Sequence, residues 1–148
     1  MKKLVILLLN LVFTGFLFAQ DLPDDVEKVY KAAERLKSKK ELNQAVDAYK
    51  EVLRSVNHVP SMVSIGEIEM DMRQPPNYRM AYEYYDKAIK TLESGMASTT
   101  KKSEKKYLTE QRDELIPKRN KAKSYVDDFD KAKELKQDGN RLMDDEEE

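Results

Sequence analysis

Few side chains in this sequence could carry out covalent chemistry. Among its 148 residues there is one histidine, His58, and no cysteine. No serine motif accompanies His58 to form a nucleophile with its base, and there is no HExxH pair, glycine-rich phosphate loop or EF-hand loop. We therefore interpret His58 as a plain loop residue between helices and predict a protein without enzymatic activity, cofactor or bound metal.

The charge balance argues against nucleic acid as a ligand. The chain has 27 Lys and Arg against 28 Asp and Glu, whereas nucleic-acid-binding domains present basic stripes and a high pI. The charges are unevenly placed: residues 101–123 contain nine basic and four acidic residues, and residues 124–148 contain ten acidic and four basic residues. Such blocks usually form solvated helix faces; the alternative is a polarised surface that steers a charged partner.

The N-terminal segment has the composition of an export signal. Lys2 and Lys3 precede an apolar run, residues 4–18, which ends at the small residue Ala19. A positive head, a short apolar run and a small residue at the cut are typical of a secretory signal peptide. We predict cleavage after Ala19 and a periplasmic or secreted bacterial protein. The alternative, an uncleaved anchor, is less favoured because a spanning helix needs about 20 apolar residues.

A small residue and an aromatic residue recur in two segments at one spacing. Ala45 and Ala81 are 36 residues apart, and so are Tyr49 and Tyr85. The apolar residues of each segment recur mainly every three or four positions, as on one face of an α-helix. They are Ala33, Leu36, Leu42, Ala45, Tyr49, Val52 and Leu53 in the first segment, and Met72, Tyr78, Ala81, Tyr85, Ala88 and Ile89 in the second. This period predicts a helical hairpin that is present twice.

Residues 39–53 and 77–92 resemble the second helix of a tetratricopeptide repeat (TPR). That family stacks helix-turn-helix units of about 34 residues. The resemblance covers residues 26–94 and implies an all-α protein in which antiparallel hairpins stack as a short solenoid. It also assigns the small crossing position of the first helices to Ala33 and Glu69, and it assigns Lys40 and Pro75 to the turns where the family usually has glycine.

Proline, glycine and capping residues divide the chain into segments. Asn77 is predicted to cap the second helix of the second hairpin, and Gly95 to end it. Because proline disrupts helix interiors, we predict that the long C-terminal helix is kinked or broken near Pro117; the alternative is two helices forming a degenerate repeat. The predicted organisation is a signal peptide at 1–19, two hairpins at 20–95, a linker at 96–102, a capping helix at 103–136 and a partial repeat helix or acidic tail at 137–148.

The resemblance implies that the first helices line a concave groove. Residues three or four apart share one helix face, and this spacing groups one row on the first hairpin and one on the second. We predict that both rows bind a partner, with Gly66 leaving room for its backbone and Met70 offering an adaptable apolar contact. The rows are Glu27, Tyr30, Glu34 and Lys37, and Val63, Gly66, Met70 and Arg73.

Residues 135–145 resemble the first helix of a further repeat. In family members that bind the acidic C-termini of heat-shock chaperones, residues matching Lys136 and Asn140 help to hold the terminal carboxylate. Both side chains can donate hydrogen bonds, but the remaining clamp residues would come from later repeats. We therefore leave open whether these residues bind a carboxylate and whether the sequence is part of a longer repeat protein.

These features predict a non-catalytic protein–protein interaction module, a TPR-like scaffold or adaptor in the bacterial cell envelope. Its partner would be a peptide or helix of another protein, bound in the concave groove. Nucleic acid and stable membrane insertion after signal cleavage are not expected, and the oligomeric state is left open. The alternative is an accessory protein that binds a glycan or small ligand through exposed Tyr84 and Tyr30.

Overall fold

The computed structural model describes residues 22–146, with side-chain surroundings for residues 22–137. The predicted signal peptide and its cleavage site lie outside the described residues. Residues 22–146 form five α-helices and no strand, so the all-α prediction is confirmed. The helices are α1 (Asp24–Ser38), α2 (Leu42–Ser55), α3 (Val59–Glu67), α4 (Tyr78–Ser98) and α5 (Lys102–Glu146); a π-helical segment, Ile68–Met72, continues α3.

The helices pack chiefly against their neighbours in the chain, and two buried clusters hold them together. The first cluster joins α1 and α2 to α3 and its π-helical continuation through Ala33, Ala45, Val46, Tyr49, Ile65 and Ile68. The second joins α3, α4 and α5. On α5 its members are Leu108, Leu115 and Ala122, which lie seven residues apart and so form one seam along the helix. Burial of these apolar faces is the main stabilising term of the fold.

A very close helix contact joins Gly66 of α3 to Tyr85 of α4. A Cβ atom on Gly66 would lie 2.7 Å from Cε1 of Tyr85. Gly66, and not Glu69, is therefore the small residue at this crossing, so the assignment drawn from the repeat is wrong by three residues. The intervals in the two hairpins differ: 12 residues lead from Ala33 to Ala45, but 15 lead from Gly66 to Ala81. The π-helical segment and the loop after it take up the extra residues.

Of the two predicted ends of α4, only the N-terminal end is confirmed. The Asn77 side chain accepts a hydrogen bond from the Met80 amide at 3.1 Å, so the predicted cap is confirmed. At the other terminus α4 continues past Gly95 to Ser98. Gly95 and Met96 are buried, which shows that packing overrides the preference of glycine for a helix end. The predicted linker is reduced to residues 99–101.

Helix α5 passes through Pro117 without interruption. A proline inside a helix removes one backbone hydrogen bond and costs about 3 kcal/mol. Leu115 and Ala122 are buried on either side of it, and we attribute the continuity of the helix to this packing. The predicted break is therefore absent, and residues 137–146 extend the same helix instead of forming a separate element.

The turn between α1 and α2 contains a residue in the left-handed region, Lys40, with φ 63°. Glycine adopts this conformation readily, whereas it is uncommon for other residues. The backbone therefore has a shape that glycine would favour at the position where the resemblance expects that residue.

Candidate interaction surface

The predicted contact residues Tyr30 and Glu34 are used inside the protein. The Tyr30 ring lies edge-on to His58, with centroids 4.6 Å apart. Glu34 accepts a hydrogen bond from the hydroxyl of Tyr49. This part of α1 therefore holds α1 against α2 and the start of α3.

Lys37 belongs to an ion-pair network that connects three helices. Glu67 of α3 lies 2.9 Å from the ammonium of Lys37 on α1 and 2.9 Å from that of Lys118 on α5. Burial alone would raise the pKa of Glu67, but hydrogen bonds and charges from Lys118 and Lys37 outweigh it and hold the pKa below its ordinary value. In contrast, Glu27 forms a salt bridge within α1, 2.8 Å from Lys31.

The second predicted row is largely inside the protein. Gly66 is buried beneath an aromatic ring of α4, and Met70 is 5% exposed. Val63 is half-buried beside the second cluster, and Arg73 lies 2.9 Å from the buried carboxylate of Glu69. The space expected for a ligand at Gly66 is therefore filled, and these four residues do not form an open groove.

His58 is not a plain loop residue, because it is 3% exposed and directly precedes α3. Its Nδ1 atom is 2.7 Å from the hydroxyl of Ser61. Burial lowers the pKa of His58 to about 4, against an opposing effect of the Glu34 carboxylate. A serine next to a neutral histidine could form a nucleophile and a base, but Ser61 is fully buried and not open to a substrate.

Tyr30 and Tyr84 are not free aromatic platforms. Both are half-buried and pack against the first cluster. Burial is also the main cause that raises the pKa of each phenol above its ordinary value. Stacking on a sugar would require an exposed ring face, and packing against the first cluster covers part of both rings.

An apolar opening lies elsewhere, between the loop after the π-helical segment and the middle of α5. It is an open cavity of about 680 Å³, within the size range of ligand pockets. We call it the aromatic groove; it is lined by Arg73, Gln74, Pro75, Pro76, Asn77, Tyr78, Arg79, Tyr125, Val126 and Phe129.

The aromatic groove combines an apolar wall with a charged rim. Tyr78 and Tyr125 stack with centroids 4.3 Å apart and an interplanar angle of 23°. Phe129, one turn further along α5, is 69% exposed. At the rim, Nη2 of Arg79 donates to both carboxylate oxygens of Asp130, at 2.8 and 2.9 Å. Such a surface can bind apolar side chains by removing them from water, while the rim can orient polar groups.

Neither a metal site nor a membrane-spanning helix is found in the part of the chain that the structure describes. No group of three or more His, Cys, Asp or Glu side chains there is placed to hold a metal ion. No helix within those residues has both the length and the apolar character needed to cross a membrane.

Comparison with known proteins does not assign a family. No family model, curated protein or solved structure matches this chain. The interpretation of the surface therefore rests on its own residues.

Sequence reasoning missed the aromatic groove, although part of its signal was visible. Tyr125, Val126 and Phe129 recur at helical spacing, a pattern that by itself indicates a packed helix face. Tyr125 and Phe129 are in fact 41% and 69% exposed. Because Tyr78 and Tyr125 are 47 residues apart in sequence, only the fold shows that they meet.

Proposed function

We propose that this protein is a non-catalytic interaction module, a TPR-like scaffold or adaptor of the bacterial cell envelope that binds a peptide or helix of a partner protein. The observation that carries the proposal is the aromatic groove, where exposed Phe129 extends the stacked pair Tyr78 and Tyr125. Exposed apolar patches rimmed by polar groups are typical of protein interaction sites. Aromatic residues also supply much of the energy at such sites.

The position of the site differs from the concave face predicted from the first helices. Two of the predicted residues, Gly66 and Met70, are buried, and Lys37 is engaged with Glu67. The groove lies between the loop at residues 73–77 and α5. Arg73 is the one predicted contact residue that also lines it.

Two features of the sequence support the broader parts of the proposal. The shared 36-residue step of the Ala and Tyr pairs supports TPR-like stacking. The basic head, apolar run and terminal Ala19 support export with cleavage of the first 19 residues. Together they favour a small exported scaffold over an intracellular one.

The alternative of a glycan-binding or small-ligand-binding accessory protein is less favoured. It depended on Tyr30 and Tyr84 as exposed platforms, and both are half-buried. The groove is also open along α5, which suits a segment of polypeptide better than an enclosed small molecule.

A matched pair of variants tests the proposal. The 148-residue sequence is expressed and purified as wild type, Phe129→Ser and Tyr107→Ser. Both substituted residues are exposed on α5, at 69% and 55%. Each protein is used to capture partners from an envelope extract, and circular dichroism checks its fold. We expect a partner that wild type and Tyr107→Ser retain and Phe129→Ser loses. Equal retention by all three would contradict the proposed site, and binding only to immobilised glycans would support the alternative.

A further inference from the structure

Helix α5 extends well beyond the helix that it packs against. Helix α4 begins at Tyr78, and Arg79 of its first turn reaches Asp130. Residues 131–137 are all exposed, and the helix continues to Glu146. At 1.5 Å per residue, the part after Asp130 is about 24 Å long. Most helical stability in proteins comes from the packing of an apolar face, which residues 131–137 do not have within the described part of the chain.

The exposed apolar residues of α5 continue in this direction from the aromatic groove. Tyr125, Phe129 and Leu135 are 41%, 69% and 64% exposed. With Ala132 they recur at steps of four, three and three residues, so they share one face of the helix. We call this face the α5 stripe. The stripe and the groove form one continuous apolar surface, because Tyr125 and Phe129 belong to both.

We propose that this surface binds the same surface of a second copy of the chain, with the two α5 helices antiparallel and their twofold axis near Ala132. The inference rests on the proposed function and names the partner of its site. In this register Phe129 of one copy lies opposite Leu135 of the other. The surface is then self-complementary, as a twofold interface requires.

Charge favours this occupant and this direction. Antiparallel pairing centred on Ala132 places residues 138–146 of one copy beside residues 118–126 of the other. The first range contains four acidic residues and one basic residue, whereas the second contains four basic and no acidic residues. Parallel pairing would instead bring the two acidic ranges together, which repulsion disfavours.

Part of that basic charge already has a partner within the chain. Lys118 is paired with Glu67, Arg119 with Asp86, and Lys123 with Asp127. Lys121 is exposed. The charges therefore select the antiparallel direction, and the apolar stripe supplies most of the affinity.

Analytical ultracentrifugation tests the association itself. The protein expressed from the 148-residue sequence is measured over about 1–100 µM. This range is suited to micromolar dissociation constants. We expect a monomer–dimer equilibrium. Phe129→Ser should raise the dissociation constant by roughly thirtyfold or more, as loss of an interface hot spot does. The control Tyr107→Ser should leave it unchanged.

Crosslinking tests the register. The natural chain has no cysteine, so a single introduced thiol reports on its own position. Facing residues near the axis of two close helices can come within the distance that a disulfide spans. Oxidised Ala132→Cys should form a disulfide-linked dimer rapidly, while the control Lys133→Cys, turned by about 100° around the helix, should do so much more slowly.

The outcomes separate this inference from the proposed function. A monomer at all concentrations overturns the second-copy inference, while the proposed function stands if Phe129→Ser still loses a partner from the extract. A dimer that Phe129→Ser does not weaken overturns the proposed interface. Equal crosslinking of the two cysteine variants overturns the antiparallel register. Dimerisation that is weakened by Phe129→Ser, together with selective crosslinking at position 132, supports the inference.

Discussion

The ring of Tyr85 occupies the space into which a side chain at Gly66 would project. A Cβ atom there would lie 2.7, 2.8 and 3.0 Å from Cε1, Cζ and Cδ1 of that ring. These distances are too short for carbon atoms in contact, so α3 and α4 can approach this closely only because position 66 is glycine.

Gly66→Ala should therefore lower the free energy of unfolding, although alanine is the better helix former. Overpacking costs about 1–3 kcal/mol, and the gain in helix propensity is about 1 kcal/mol. We expect a net loss of up to about 2 kcal/mol by chemical denaturation. In a double-mutant cycle with Tyr85→Leu, the cost of Gly66→Ala should fall. An unchanged cost in that background would contradict the steric explanation.

The corresponding tyrosines of the two hairpins should respond oppositely to loss of the hydroxyl. Tyr49 donates to Glu34, whereas the buried hydroxyl of Tyr85 has no hydrogen-bond partner among the described residues. Tyr49→Phe should lower the free energy of unfolding by about 1–2 kcal/mol, and Tyr85→Phe should leave it unchanged or raise it by about 1 kcal/mol. Urea titrations measure both, and each variant is the control for the other. Equal losses would show that the Tyr85 hydroxyl is satisfied.

His58 should make stability fall in mildly acidic solution. Its folded pKa of about 4 lies below the ordinary value of 6.5, so the unfolded chain takes up the proton first. The contribution is fully present above pH 6.5 and decreases as the pH falls towards 4. It amounts to at most about 3 kcal/mol.

The measurement is the free energy of unfolding at several pH values between 4 and 7, for wild type and His58→Gln. Subtraction of the two curves removes the effect of the other titrating groups, which both proteins share. The variant should lack the fall between pH 6.5 and 4. Parallel curves would show that His58 becomes protonated in the folded protein at little cost.

Helix α5 should be required for the fold of the hairpins before it. Leu108, Leu115 and Ala122 belong to the second cluster, so removal of α5 would expose the apolar faces of α3 and α4 to water. A chain that ends at residue 102 should lose its cooperative thermal melt by circular dichroism. In the complete chain, Leu108→Ala should cost about 2–4 kcal/mol.

Leu135→Ala is the control for that variant, since Leu135 is 64% exposed beyond the bundle. At low protein concentration, Leu135→Ala should lower the free energy of unfolding by less than about 0.5 kcal/mol. A cooperative melt of the shortened chain would contradict the required role of α5.

The sequence predicted the second helices better than the first. Ala45 and Tyr49, and likewise Ala81 and Tyr85, are fully buried, because a helix that packs on two neighbours needs this regular apolar pattern. The first helix of the second hairpin was placed in the wrong register because its 15-residue interval from Gly66 to Ala81 contains three extra residues. A fixed period cannot reveal where an insertion lies.

The aromatic groove and the burial of His58 depend on tertiary geometry. Tyr78 meets Tyr125 only because α5 runs back along α4 and past Pro117, where local preference predicts a kink or break. His58, which directly precedes α3, is buried in part by the ring of Tyr30 on α1. Neither arrangement follows from residues near in sequence, so pattern analysis alone could not place the candidate site.

The unequal intervals of the two hairpins also bear on how this protein could diversify. The three extra residues lie between Gly66 and Ala81, and the close contact of Gly66 with Tyr85 is still made. The same loop forms one wall of the aromatic groove. Changes in the length or composition of residues 73–77 could therefore alter partner selectivity while the buried clusters stay the same. Recognition and folding can thus vary independently at this loop.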